Sequence, residues 1–168
     1  MSVRSPAPGG LELVRALVNT LDVETGADSL DTPENRARFG LAQDAVLDAR
    51  ELRESLRVTL LAHAGHPPHR AVTPLGELLA AAPLVVTVDD ADGSAALAPA
   101  REGMLAARVA AAVAEALVAG TWSRLKACEA VDCLWAYYDR SPAGRGRWCS
   151  MQVCGARAKM RRYRAKEA

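Results

Sequence analysis

All four cysteines lie in the last 41 residues, as Cys128-x4-Cys133 and, after fifteen further residues, Cys149-x4-Cys154. Two short cysteine pairs separated by a loop of that length offer four thiolates to one tetrahedral zinc ion. A complete set of four protein ligands leaves no position for water or substrate, so such a zinc is structural. In a reducing compartment paired cysteines serve as metal ligands more readily than as disulfides. A redox dithiol pair or reactive free thiols are the other chemistry open to these residues.

The stretch around the cysteines is cationic. Residues 1–121 carry 10 Arg/Lys against 16 Asp/Glu, a net of −6, whereas residues 122–168 carry 11 against 4, a net of +7. A basic segment seeks polyanions, because counterions released from phosphates drive the association. Neutralisation of one half by the other across an internal interface is the plainer reading, and the two are compatible. Nine cations fall between Arg140 and Lys166. A tetrathiolate zinc carries a formal −2 and would account for one or two of them. Arg145, Arg147, Arg157, Lys159, Arg161, Arg162, Arg164 and Lys166 are therefore the candidate nucleic-acid contacts. Arginine suits bidentate phosphate binding and the O6/N7 edge of guanine.

Other constellations are weaker. His63-x2-His66-x2-His69 is read as a surface turn broken by Gly65 and two prolines, not as a second metal site. Asp89-Asp90-x-Asp92-Gly93 lacks the glutamate that would complete a calcium loop and is read as an acidic turn. Asn19 and Thr20, beside an apolar helical face, either pin the next loop or line a small-molecule pocket. No phosphate loop, Ser/His/Asp arrangement or zinc-hydrolase signature occurs, so no catalytic residue is assigned and an enzyme is not expected.

The elements that must position these groups are mostly helical. Apolar spacing predicts helices over 11–21, 42–63 and 102–119, with shorter ones after Thr32-Pro33 and over 75–82. In the second, Ala45, Ala49, Leu52, Leu56 and Leu60 form the buried stripe, opposite Asp48, Arg50, Glu54 and Arg57. Leu84–Val88 and Ala95–Leu97 form a hairpin about the acidic turn. Trp122–Ala127 runs into the cysteine module without a flexible linker. Around the zinc, Trp135, Tyr137, Tyr138 and Trp148 supply an aromatic core. The Ser141–Gly146 loop is mobile, and a terminal helix packs Ala156, Met160 and Tyr163 on the site. The fold class is mainly α with a small β-hairpin, in two parts, 1–121 and 122–168.

Arg147-Trp148-Cys149-Ser150-Met151-x-x-Cys154-Gly155-x-Arg157-x-Lys159, with Arg162-x-Arg164 and the Tyr137-Tyr138-Asp139 run, resembles the bacterial CGNR-type zinc finger over about 45 residues. The namesake Cys-Gly-Asn-Arg stands here as Cys154-Gly155-Ala156-Arg157. Alanine removes a helix-start hydrogen-bonding group or a base contact. Leu17-Val18-Asn19-Thr20-Leu21, Gly26-Ala27-Asp28-x-Leu30 and Thr32-Pro33-Glu34 are similar to the ABATE-type domain of stress-induced transcriptional regulators. The resemblance implies a helical regulatory domain fused to a DNA-binding finger. The expected function is a stress- or ligand-responsive regulator with structural zinc, binding double-stranded DNA, with a small-molecule effector and a homodimer as further partners. A zinc-stabilised protein- or RNA-interaction module is the alternative. With no run of about 18 uncharged apolar residues and no secretory signal, a cytoplasmic protein without membrane attachment is expected.

Overall fold

The computed structural model describes residues 6–101 and 103–167. Helix α1 (Leu11–Val18) buries Leu11, Val14, Leu17 and Val18 along one face. Asp28 caps a single 3-10 turn at Ser29–Asp31. The Thr32 hydroxyl accepts from the Asn35 N–H at the start of α2 (Pro33–Ala37), whose first position is proline. Helix α3 (Val46–His63) is the longest, and a 3-10 turn at Gln43–Ala45 replaces its expected first turn. Helix α4 (Leu75–Ala80) leads to strands β1 (Leu84–Val88) and β2 (Ala95–Pro99), antiparallel with Val86 opposite Leu97. The turn between them is held by Asp89 and Asp92 carboxylates that accept from the Ala91 and Ser94 N–H groups. Helix α5 (Leu105–Val118) starts later than its apolar pattern suggests; the expected start, Glu102, lies outside the described residues.

A second hairpin was not legible in the sequence. Strands β3 (Leu125–Ala127) and β4 (Ala136–Tyr138) pair antiparallel, with Lys126 opposite Tyr137. At three residues each they are too short for an alternating pattern to register. Helix α6 (Ala156–Glu167) ends the chain. Among the described residues no helix is long and apolar enough to cross a membrane.

Leu125, Ala127, Leu134 and Ala136 belong to the same apolar core as α1, α3 and α5. The cysteine hairpin is thus continuous with the helical part. Its docking explains a departure in α3, where the face expected to be solvated buries Arg53, Glu54 and Arg57. Arg57, with 0% exposure, donates through Nε to Glu54 (3.1 Å), through Nη2 to the Val18 carbonyl and through Nη1 to the Leu134 carbonyl, both at 2.8 Å. Arg53 bridges Glu54 (2.9 Å), Asp28 (2.8 Å) and the Thr20 hydroxyl (3.0 Å). Burial pushes the Glu54 carboxyl up, but the Arg57 and Arg53 guanidiniums outweigh it and hold it below the ordinary carboxylate range.

Asn19 acts like a neighbouring strand. Its side-chain amide donates to the Ala136 carbonyl (3.0 Å), and its Oδ1 accepts from the Ala136 N–H (2.7 Å). Thr20 donates to the Leu17 carbonyl at 2.8 Å. Of the two roles open to Asn19 and Thr20, these internal bonds are the pinning one. Removing one member of a buried charged network costs about 3–5 kcal/mol. Leaving buried backbone groups unpaired costs about 1–3 kcal/mol. Arg57→Ala should therefore destabilise by about 3–5 kcal/mol and Asn19→Ala by about 1–3 kcal/mol in urea unfolding.

Candidate metal centre

The first cysteine pair is the turn of the second hairpin. The Cys128 N–H donates to the Trp135 carbonyl (2.9 Å), continuing the β3–β4 ladder, and Cys133 and Leu134 N–H groups both donate to the Ala130 carbonyl. Leu134 adopts φ +50°, a left-handed conformation that costs a non-glycine residue on the order of 1 kcal/mol. This bend aims its carbonyl at Arg57. In the second pair Cys149 precedes and Cys154 lies within a π-type turn, Met151–Gly155, whose Gly155 N–H donates to the Ser150 carbonyl at 3.0 Å.

These two turns bring all four sulfurs within 4.8 Å of one another. Cys133 and Cys149 Sγ lie 3.5 Å apart, and Cys149 and Cys154 Sγ 3.6 Å apart. Metal–sulfur bonds of about 2.3 Å give a tetrahedron with edges of about 3.8 Å, whereas a disulfide needs about 2.05 Å. The donor set fits a tetrahedral thiophilic ion and not a disulfide. Hydrogen bonds from the Cys133 and Cys149 thiols pull the Cys128 thiol far below its ordinary range; the same bonds, with burial and the Cys128 charge, push those two thiols up. Four thiolates can coexist here only around a cation. Cys128 and Cys154 are buried and Cys133 and Cys149 half-buried, with Trp148 packed against the cluster.

One aromatic group departs from the expected ring about the metal. Tyr138 packs on the main core, and the buried Tyr137 donates from its hydroxyl to the Gly146 carbonyl at 2.7 Å. Met160 and Tyr163 are 52% and 59% exposed, and Ala156 is exposed too, so α6 does not pack that face on the site. Its neighbour is the 151–155 turn. Ala156, where the related finger carries Asn, is a helical, exposed residue at the start of α6.

The loop after β4 is braced rather than free. Asp139 is 4% exposed and accepts from Lys126 Nζ (2.9 Å), the Ser141 N–H (3.0 Å) and the Gly146 N–H (2.7 Å). Burial pushes its carboxyl up, and these bonds reverse the shift to hold it well below the usual carboxylate range. Lys126 also donates to the Gly144 carbonyl at 2.5 Å, and Arg124 to the Ser141 carbonyl at 2.6 Å. Two of the module's cations are thus structural.

The candidate nucleic-acid contacts divide by geometry. Arg147 pairs with Glu129 and lies 5.8 Å over the Trp148 ring. Arg157 lies 3.4 Å from Glu24 and 3.9 Å from Asp132, and Arg161 lies 3.9 Å from Asp132. At 100° per residue, Lys159, Arg162 and Lys166 occupy the opposite side of α6. Among the described residues no ion pair involves these three, Arg145 or Arg164, and all five are exposed.

The histidines have separate partners and do not form a bare surface turn. His63 Nδ1 donates to the Leu125 carbonyl (2.8 Å) and stacks edge-on against Trp122 (4.9 Å), while His69 Nε2 bonds Glu54 (3.1 Å). His66 Nε2 stands 3.8 Å from Glu129. His63, Arg57 and Lys126 are the positioning residues that sequence reasoning missed. Only the break of helical pattern at Gly65 hinted that the histidines lay at a junction.

A Cβ on Gly146 would stand 3.0 Å from the Asp139 carboxyl carbon and both its oxygens, which are locked by three hydrogen bonds. Gly146→Ala should lower the stability of the metal-loaded chain by about 1–3 kcal/mol, the usual scale of overpacking. Urea unfolding of this variant against wild type checks it.

Residues 124–167 match the CGNR zinc finger, and residues 11–120 match the family described as "Putative stress-induced transcription regulator" (ABATE). A comparison with curated proteins returned no match. Three of the quoted ABATE-like residues help build the junction: the Val18 carbonyl accepts from Arg57, Asn19 bonds Ala136 of the cysteine hairpin, and Asp28 holds Arg53. The chain belongs to the ABATE family, described as "Putative stress-induced transcription regulator", with a CGNR zinc finger at its C-terminal side.

Proposed function

We propose that the chain is a transcriptional regulator whose finger binds double-stranded DNA and holds one structural zinc ion through Cys128, Cys133, Cys149 and Cys154. Zinc, when bound, would offset two of the four thiolate charges and tie the β3–β4 turn to the 151–155 turn. The protein's own residues do the rest. Arg57 and Asn19 hold the first turn, Asp139 and Lys126 hold the basic loop, and Cys154 anchors the start of α6.

The observation that carries the reading is α6 itself. It leaves the last cysteine as an exposed cationic helix whose neighbours within the chain do not cover it. A helix polar all round gains little from its own packing and is suited to an outside partner. The Lys159–Arg162–Lys166 side, with Arg145, is the proposed phosphate-contacting surface. Arg157, Arg161 and Arg147 orient the helix and loop through their acidic partners, and Arg164 stands beside them on the paired side. Phosphate contacts set affinity here, and few bases are read. A single finger covers few base pairs, so selective binding calls for a homodimer. The same basic surface also suits single-stranded RNA, to which the exposed Tyr163 ring offers one stacking face, so the choice between duplex and single strand is left to binding.

Two outcomes check this. Elemental analysis should find one zinc per chain, and none in Cys149→Ser. In duplex binding across a salt series, Arg162→Ala should lower the log–log slope by about 1, and Arg161→Ala should change it less. Failure of the zinc-loaded chain to bind any duplex at low salt, with retained binding to RNA or an acidic protein, would favour the interaction-module reading.

A further inference from the structure

A cavity of about 500 Å³ opens in the helical part, far along α3 from the cysteines. It lies between the Gly40–Ala45 connection, the start of α3, the end of α4 and the start of α5. Its floor is Ala49, Leu52 and Leu105, all buried, and Leu78 and Ala106 form its sides. Met104, 42% exposed, stands at the rim, where an unbranched thioether adapts to different shapes. The volume falls within the range of about 300–1,000 Å³ usual for small-molecule sites.

The charge of the lining is one-sided. Asp48 and Glu51 both border the cavity, and no described lining residue is basic. Arg108, one turn into α5, is taken up by the Phe39 carbonyl at 3.0 Å. The start of α5 contributes a partial positive charge of about one half, against two full negative charges. Glu51 already accepts from the Thr73 hydroxyl, so among the described lining residues Asp48 is the carboxylate left to meet a ligand of opposite charge, and an anion is disfavoured.

We propose that this cavity binds a small apolar organic cation, its hydrocarbon body on Ala49, Leu52 and Leu105 and its charge toward Asp48. This goes beyond nucleic-acid binding and does not depend on it. The site's wall shares α3 with the Arg57 clamp: Leu52 lies five residues before it. An occupant therefore rests on the helix that holds the cysteine turn.

The test uses the full, zinc-loaded chain without nucleic acid, so its failure and that of the DNA reading are separable. Tetraphenylphosphonium serves as the apolar cation and tetraphenylborate as the same shape with opposite charge. Amide NMR shifts report the site, and titration gives the affinity. The cation should saturably shift the amides of Ala49, Leu52 and Leu105, and the borate should not. Asp48→Asn, at an exposed position, should weaken the cation about fivefold, as one partly solvated ion pair would. Ala106→Phe should abolish the saturable shifts; if that variant does not fold, Ala45→Phe fills the opposite wall. Absence of saturable shifts at these amides overturns the proposal. So does equal binding of the borate there, or unchanged affinity in Asp48→Asn and the filled variant.

Discussion

One buried guanidinium joins the two parts of this chain. Arg57 is wholly enclosed and donates to a carbonyl at the end of α1 and to another just after Cys133. Glu54 balances its charge, Arg53 shares that carboxylate, and Arg53 in turn reaches Asp28 and Thr20. An enclosed charge tolerates no lost partner, so every segment it touches is fixed relative to the others. Asn19 adds a directional pair to Ala136, and His63 a single bond to Leu125.

The consequence concerns the cysteines. A small metal module usually derives its order from the ion, because its own core is slight. Here the first cysteine turn is also held by the helical part, through Leu134 and the shared apolar core. Among the described residues the second turn, around Cys149 and Cys154, has no such bond to the helical part; all four cysteines pack with Ala130 and Trp148 in a separate small cluster. Helix α6 follows that second turn, and its Arg157 and Arg161 make ion-pair contacts back to Glu24 and Asp132. Preorganisation is therefore graded, firm at Cys128 and Cys133 and looser toward the cationic helix.

The cysteine set was readable because ligand type and spacing are themselves the chemistry, and α1, α3 and α5 because their apolar spacing is regular. Other parts were hidden for physical reasons. Arg57 and Glu54 sit where a two-faced helix would place solvated residues, and only tertiary packing on a second hairpin buries them. That hairpin has three residues per strand, too few for periodicity. Asn19 stood out as polar beside an apolar face, but its partner is 117 residues away, a distance no local pattern spans. The Ser141–Gly146 loop carries glycine and proline that suggest mobility, yet Asp139 and Lys126 fix it from below. Whether α6 packs on the metal site turned on what else fills that space, and Trp148 does.

The central claim is that the helical part and the first cysteine turn form one cooperative unit. Hydrogen exchange of the full chain, metal-loaded and after chelation, tests it most directly. Removing the metal should lower amide protection in α1 and α3, at Val18, Leu56 and Leu60, along with that of residues 125–138. Unchanged protection at those helical amides, while residues 125–154 exchange freely, would contradict it.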